Sequence, residues 1–261
     1  QNRLTGTLDV YDKQTDDLLV NQPLGPSSGF TSLLVNRGSL SNKGIELTLS
    51  GTLIDKNDFS IDIGGNIAFN KSKIQNLGGS PEDIYINGNI ENRVFYRGQN
   101  ISTGNYFRTP ANIFMEGEEV GLFYGFETNG IYQTEDDLAV SDTQAGDVRI
   151  VDQDGDGAIT EADRTIIGNP NPDFVFGGYV NMNYKRLNLS VQINGVYGNE
   201  IANGNLIQLG TAEGRSANIL SQAYNNAWRP DAQSNTFPRV GYLGESGSPA
   251  ITDRIIEDGS F

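Results

Sequence analysis

The sequence contains no cysteine and no histidine. Without cysteine there is no disulfide framework and no thiolate metal site. Without histidine the commonest general base, the usual zinc ligand and the Ser-His-Asp triad are all missing. No run approaches the ~18 consecutive apolar residues of a membrane helix, so a helical membrane protein is excluded. Basic residues are scarce relative to acidic ones: 18 Lys and Arg against 33 Asp and Glu, a formal net charge of -15. Nucleic-acid binding needs a basic face, so nucleic acid is not an expected partner. No signal peptide opens the chain, and the expectation is a fragment or a processed form of an exported polypeptide. Glycine, by contrast, is plentiful at 32 of 261 residues, which suits a turn-rich β protein.

What is present most clearly is alternation. Phe174, Phe176, Gly178, Val180, Met182 and Tyr184 share one register, and Val175, Gly177, Tyr179, Asn181 and Asn183 the other. After Lys185-Arg186 the pattern restarts, with Leu187, Leu189, Val191, Ile193 and Tyr197 against Asn188, Ser190, Gln192 and Asn194. Side chains alternate across a strand, so this is a hairpin with one greasy and one wet face. Its runs match the ~9–11 residues that a tilted strand needs to cross a bilayer. Aromatics close the ends of the greasy face and aliphatics fill its middle, the order that a membrane barrel uses.

A second hairpin is expected over residues 42–70. Ile45, Leu47, Leu49, Gly51 and Leu53 alternate with polar residues, Asp55 to Asp58 turn the chain, and Phe59 to Phe69 alternates again. Residues 1–14 read as one more strand and 15–39 as a polar loop. Irregular stretches fill 71–118, 134–172 and 198–256, with a strand-like run over 119–133. Short turns thus alternate with long loops, as in outer-membrane barrels. The expected fold class is all-β, an antiparallel transmembrane β-barrel portion of about five to six strands. So few strands would leave lipid-exposed edges, so further strands are expected from elsewhere in the polypeptide.

One stretch carries chemistry. Asp152, Asp154 and Asp156 fall at positions 1, 3 and 5 of a twelve-residue calcium loop. Gly157 takes the sharp turn, the Ala158 carbonyl position 7, Thr160 position 9 and Asp163 position 12. Two departures stand out: Asp replaces the bidentate Glu at position 12, and Asp147 to Val151 looks like a strand rather than an entering helix. Calcium is one reading; an Asx/Gly turn held by its own hydrogen bonds is the other. Asn169-Pro170-Asn171-Pro172-Asp173 then reads as a rigid lead-in to the Phe174 strand.

Several blocks resemble a known family. Asn42-Lys43-Gly44-Ile45-Glu46-Leu47, Phe69 to Ile74, Asp152 to Pro172, Asn226-Ala227-Trp228-Arg229-Pro230 and Phe237-Pro238-Arg239 are similar, in order, to the C-terminal barrel region of SusC/RagA transporters. These are TonB-dependent outer-membrane importers. The resemblance implies a barrel of about 22 strands around an N-terminal plug. It also implies a SusD-like surface lipoprotein as lid, energy from the TonB complex, and an oligosaccharide or peptide cargo. Residues 1–261 would be the C-terminal part of that barrel, with the plug and TonB box outside this sequence.

On this reading the strands meet outer-membrane lipid and the long loops line an outer vestibule. Tyr96, Tyr106, Phe107 and Trp228 are candidates for stacking on cargo or holding the lid, with loop packing as the competing role. A soluble calcium-dependent carbohydrate-binding β domain is the alternative; it leaves the strand length and the sorting of aromatics unexplained. A two-carboxylate glycosidase has only the abundance of acids behind it, so no enzyme activity is expected.

Overall fold

A computed structural model describes residues 3–23, 29, 32–98, 100–101, 109–134, 143–209, 218–240 and 251–261. The chain opens with β1 (Leu4–Thr15), and a hairpin of β2 (Leu19–Pro23) and β3 (Ser32–Asn36) leads to β4 (Ser39–Lys56) and β5 (Phe59–Asn76). The polar loop expected over 15–39 is therefore partly a hairpin. Its ends are held together because β1 pairs with β4 as far as Thr15 opposite Leu40, so the intervening chain folds back on itself. The turn expected over 55–58 shrinks to Asn57-Asp58, since pairing continues to Lys56 opposite Phe59.

The stretch expected to be irregular over 71–118 is rich in short strands. It holds β6 (Glu82–Ile86), β7 (Asn89–Arg93), β8 (Phe95–Arg97), β9 (Asn100–Ile101), β10 (Thr109–Pro110) and β11 (Asn112–Met115). Asn87 and Gly88 close the β6–β7 hairpin at φ 51° and 71°. A two-residue type I′ turn requires that left-handed pair, and Asn-Gly takes it most readily. Then follow β12 (Leu122–Phe126), β13 (Thr128–Ile131), β14 (Val148–Ile150) and β15 (Arg164–Gly168). The long hairpin comes next, β16 (Phe174–Tyr184) and β17 (Leu187–Tyr197), with the boundaries that its alternation indicates. After it come β18 (Glu200–Ala202), α1 (Gly204–Leu209), α2 (Ser221–Asn226) and β19 (Ile256–Asp258), with β19 paired to β18.

The large sheet has the order β1-β4-β5-β16-β17, antiparallel throughout. It does not close on itself. Phe261 exchanges backbone hydrogen bonds with Val196 at 3.0 and 2.9 Å, so pairing continues past β17. Both short turns lie at one end, and the Lys185 N–H donates to the Asp58 carbonyl at 2.9 Å, tying them together. Every long connection lies at the other end.

The two faces differ in chemistry row by row. Leu8, Leu47, Ile67 and Phe176 stand side by side on one face, as do Leu4, Ile63, Val180 and Val191. Thr7, Thr48, Asn66 and Asn194 form a row on the other. That polar face carries cross-strand hydrogen bonds, Thr52 to Asp62 at 2.6 Å and Ser190 to Asn181 at 2.7 Å. The apolar face is bare: Leu189 is 57% exposed, Val191 48% and Ile193 61%, and among the described residues no second sheet covers them. Aromatics border it. Phe69, Phe174 and Tyr197 meet at the loop end, with centroids 5.6 and 5.1 Å apart, and Phe59 meets Tyr184 at the turn end. From Phe174 to Tyr184 the strand advances ~33 Å, or ~25 Å in height at a 35–45° tilt, which is the height of a barrel's apolar band.

The packed core lies elsewhere. Short strands β6 to β15 and the segments after β17 form a head at the loop end. One cluster packs Ile84, Ile113, Met115, Leu122 and Tyr124, and another packs Ala111, Ile251 and Ile255. Ile74, on the polar-face register of β5, turns into a third cluster with Leu77 and Val94. The head thus sits over the wet side of the sheet.

Candidate functional site

The acidic loop lies between β14 and β15, on the head. Three carboxylates converge there: Asp152, Asp154 and Asp156 offer oxygens that all lie within 4.8 Å of one another. The backbone wraps to bring them in. Asp152 accepts the N–H groups of Gly155 and Gly157 at 2.7 and 2.8 Å, Asp154 that of Asp156 at 3.1 Å, and Asp156 that of Ala158 at 2.8 Å. Gly155 and Gly157 adopt φ 76° and 85°, the left-handed conformation that this winding needs.

The electrostatics are uneven. The Gly157 N–H, ahead of the Gly155 N–H, holds the Asp152 carboxyl below its ordinary value. Asp154 stands above its own: the Asp156 N–H favours its charged form, but desolvation and the charges of Asp156 and Asp163 together outweigh it.

Asp163 is placed differently from the rest. It is fully buried, and its two oxygens accept the N–H groups of Gln153 and Thr160 at 2.8 and 2.7 Å. The carboxylate therefore joins the two ends of the loop. Thr160 caps the short 3₁₀ turn Glu161–Asp163, its Oγ1 accepting the Ala162 N–H at 3.1 Å. Ala158 is exposed at the loop's surface.

The loop rests on a firm base. Arg164 is buried, pairs with Glu161 at 2.9 Å and lies 4.9 Å over the Phe126 ring. Burial lowers its pKa, with Glu161 opposing that shift. Arg97 reaches Glu161 at 3.2 Å, and the Thr165 hydroxyl reaches Asn87 in the β6–β7 turn at 2.6 Å.

The aromatic candidates fare differently from one another. Trp228 is 7% exposed and packs with Ile131 and Val148, and its indole N–H donates to Gln133 at 2.9 Å. The ring is committed to packing the head, not offered to a cargo. Tyr96 is half-buried beside the Ile74 cluster. Tyr106 and Phe107 lie outside the described residues.

Sequence reasoning missed the contacts that lock the head. Trp228 lies against Gly146, where a Cβ would meet the ring at 2.5 Å. Arg239 pairs with buried Asp147 at 2.5 Å, and its N–H donates to the Gly146 carbonyl at 2.8 Å. The lead-in to β16 is stitched as well. The Asn169 N–H donates to Glu200, its side chain to Glu119, both at 2.6 Å, and the Asn171 side chain reaches the Val120 carbonyl at 2.9 Å. The only available signal was the density of Asn, Asp and Arg in these blocks.

Comparison with known proteins adds a family. A family model described as "TonB dependent receptor-like, beta-barrel" matches residues 1–242. TonB-dependent receptor P3 of Formosa agariphila is 32% identical over 265 aligned positions, covering 100% of this chain and 24% of its own length. TonB-dependent receptor SusC of Bacteroides thetaiotaomicron is 28% identical over 264 positions, covering 99% and 23%. The solved structure of the RagAB peptide transporter matches with a TM-score of 0.74 at 22% identity, over 99% of this chain and 26% of that one. At that identity the likeness speaks for the fold. The chain spans about a quarter of the length of these relatives. None of them supports a soluble carbohydrate-binding domain.

Proposed function

Since the chain belongs to the TonB dependent receptor-like β-barrel family, we propose that it forms part of the wall and outer vestibule of an outer-membrane nutrient importer. One observation carries the reading. A sheet with a bare apolar face and a polar face bears a packed head at one end and only tight turns at the other. Lipid favours the first face and a water-filled lumen the second. The head then stands where cargo arrives.

Transport would be driven by the TonB complex, and a SusD-like lipoprotein would close over the head. The cargo class is an oligosaccharide or a peptide; the RagAB neighbour is named a peptide transporter. The work is that of a transporter rather than an enzyme. Residues 1–261 would serve as the C-terminal part of the receptor barrel.

Calcium in the acidic loop belongs to the same proposal. The donor set suits a hard cation, since three converging carboxylates repel one another without one. Asp152, Asp154, Asp156, the Ala158 carbonyl and Thr160 would hold it. Asp163 is fully buried and lies outside the converging trio, and it would brace the loop from beneath. The ion would neutralise the carboxylates and pin the loop to the head.

The test replaces residues 82–93 of the full-length receptor with a short Gly/Ser link. The barrel should still assemble, while capture of the surface lipoprotein and uptake of cargo should both fail. Unchanged uptake and capture would refute a vestibule role for the head.

A further inference from the structure

The outward face is apolar as far as the outer aromatic row, and beyond it β4 and β5 carry lysines. On β4 and β5 the outward register continues past Ile45 and Phe69 to Lys43, Lys71 and Lys73. Lys43 stands opposite Lys71, and all three lysines are exposed. On β1, Asp12 pairs with Lys43 at 2.8 Å. Among the described residues, no carboxylate lies within ion-pairing distance of Lys71 or Lys73. Glu119, whose backbone bridges Lys73, gives its carboxylate to Asn169 instead. In a chain of net charge -15, three outward lysines beside one aspartate make a positive patch against the trend.

Depth gives the patch its meaning. Lys71 and Lys73 follow Phe69 by two and four residues, so they stand ~5 and ~10 Å above the aromatic row at a 35–45° tilt. The headgroup layer is ~5–7 Å deep on each side, so Lys71 stands within it and Lys73 just beyond, within reach of its outer edge by its long side chain. A groove of about 740 Å³ joins the lysines to Val10, Ile45 and Phe69. Further down the same face, outward-register Gly51 and Gly65 open a second groove of about 760 Å³, walled by Leu4, Leu47, Leu49, Ile63 and Ile67. The surface is thus cationic at headgroup height and troughed below it.

We propose that Lys43, Lys71 and Lys73 bind the phosphate of a phosphorylated glycolipid in the outer leaflet, whose acyl chains lie along the two grooves. Lysine ammonium groups recognise phosphate as point charges, and a surface at this depth on the outward face meets lipid before any soluble partner. The inference rests on the barrel reading, because the strands must face lipid for a lipid to reach the lysines.

The experiment uses full-length receptor in detergent, titrated with bis-phosphorylated lipid A and followed by native mass spectrometry. Heat-modifiable gel mobility reports barrel assembly separately; its absence in the unaltered protein would defeat the barrel reading itself. Each lysine near a charged lipid surface contributes roughly fivefold in affinity, so Lys43→Gln, Lys71→Gln and Lys73→Gln together should weaken binding on the order of 100-fold. Asp12→Asn should tighten it several-fold, an effect that a misfolded variant cannot imitate. Lys185→Gln with Arg186→Gln, at the far end of the sheet, should change nothing. The proposal is overturned if the triple variant binds within twofold of the parent. It is equally overturned if dephosphorylated lipid A binds as well as the phosphorylated form.

Discussion

Placing an arginine at Val191 tests the orientation of the whole sheet. Val191 lies in the row with Leu4, Ile63 and Val180, four residues from the turn-end of β17 and six from Tyr197. Four residues advance ~13 Å along the strand, hence ~10 Å in height, close to the middle of a ~25 Å apolar band. A guanidinium there should cost about 2–4 kcal/mol. At 1.4 kcal/mol per factor of ten, the folded-to-unfolded ratio should fall roughly 30- to 700-fold. Gln192→Arg, one residue along, points into the wet interior and should cost a few tenths of a kcal/mol at most. The assay is reversible guanidinium unfolding of the full-length receptor in lipid vesicles, followed by tryptophan fluorescence. Equal losses at the two positions would refute a lipid-facing register, and a larger loss at Gln192 would invert the inside-outside assignment. Ile63→Arg, in the same row two strands away, should reproduce the Val191 result.

Five further outcomes follow from the geometry. Asp152→Ala with Asp156→Ala should abolish a calcium-dependent rise in the melting temperature of the full-length receptor, and no such rise in the unaltered protein would retire the calcium reading. The Asp154 pKa is raised above that of a free aspartate, so calcium affinity should weaken as pH falls toward it, read by calorimetry at a series of pH values. Asp152, whose pKa is lowered, contributes stability above its unfolded value, and that contribution should fade as pH falls through its folded one. Trp228→Ala should loosen the head by about 3–5 kcal/mol, seen as faster hydrogen exchange around Gly146 and Ile131 with the large sheet unaffected. Gly64→Ala should lower barrel yield because the new Cβ meets the Tyr179 ring, and adding Tyr179→Ala should restore it.

The large sheet was written in the sequence because its two faces meet different solvents. Where one face wants hydrocarbon and the other water, alternation is strict, and the limits of Phe174–Tyr184 and Leu187–Tyr197 could be read directly. The acidic loop was legible for a similar local reason: its ligand spacing lies within twelve consecutive residues. The head was not legible. All five residues of Leu122–Phe126 are buried, so the strand has no polar register to contrast with an apolar one. Trp228 became a core residue by meeting Ile131, Val148 and Gly146, and Asp147 found its partner at Arg239, across a separation of 92 residues. Asp163 shows the same division within a single loop. Its spacing matches that of Asp152, Asp154 and Asp156, but the fold buries it apart from those three, with its oxygens on the N–H groups of Gln153 and Thr160. Patterns set by contact with a continuous solvent are printed along the chain, whereas contacts between distant segments exist only once the fold has brought them together.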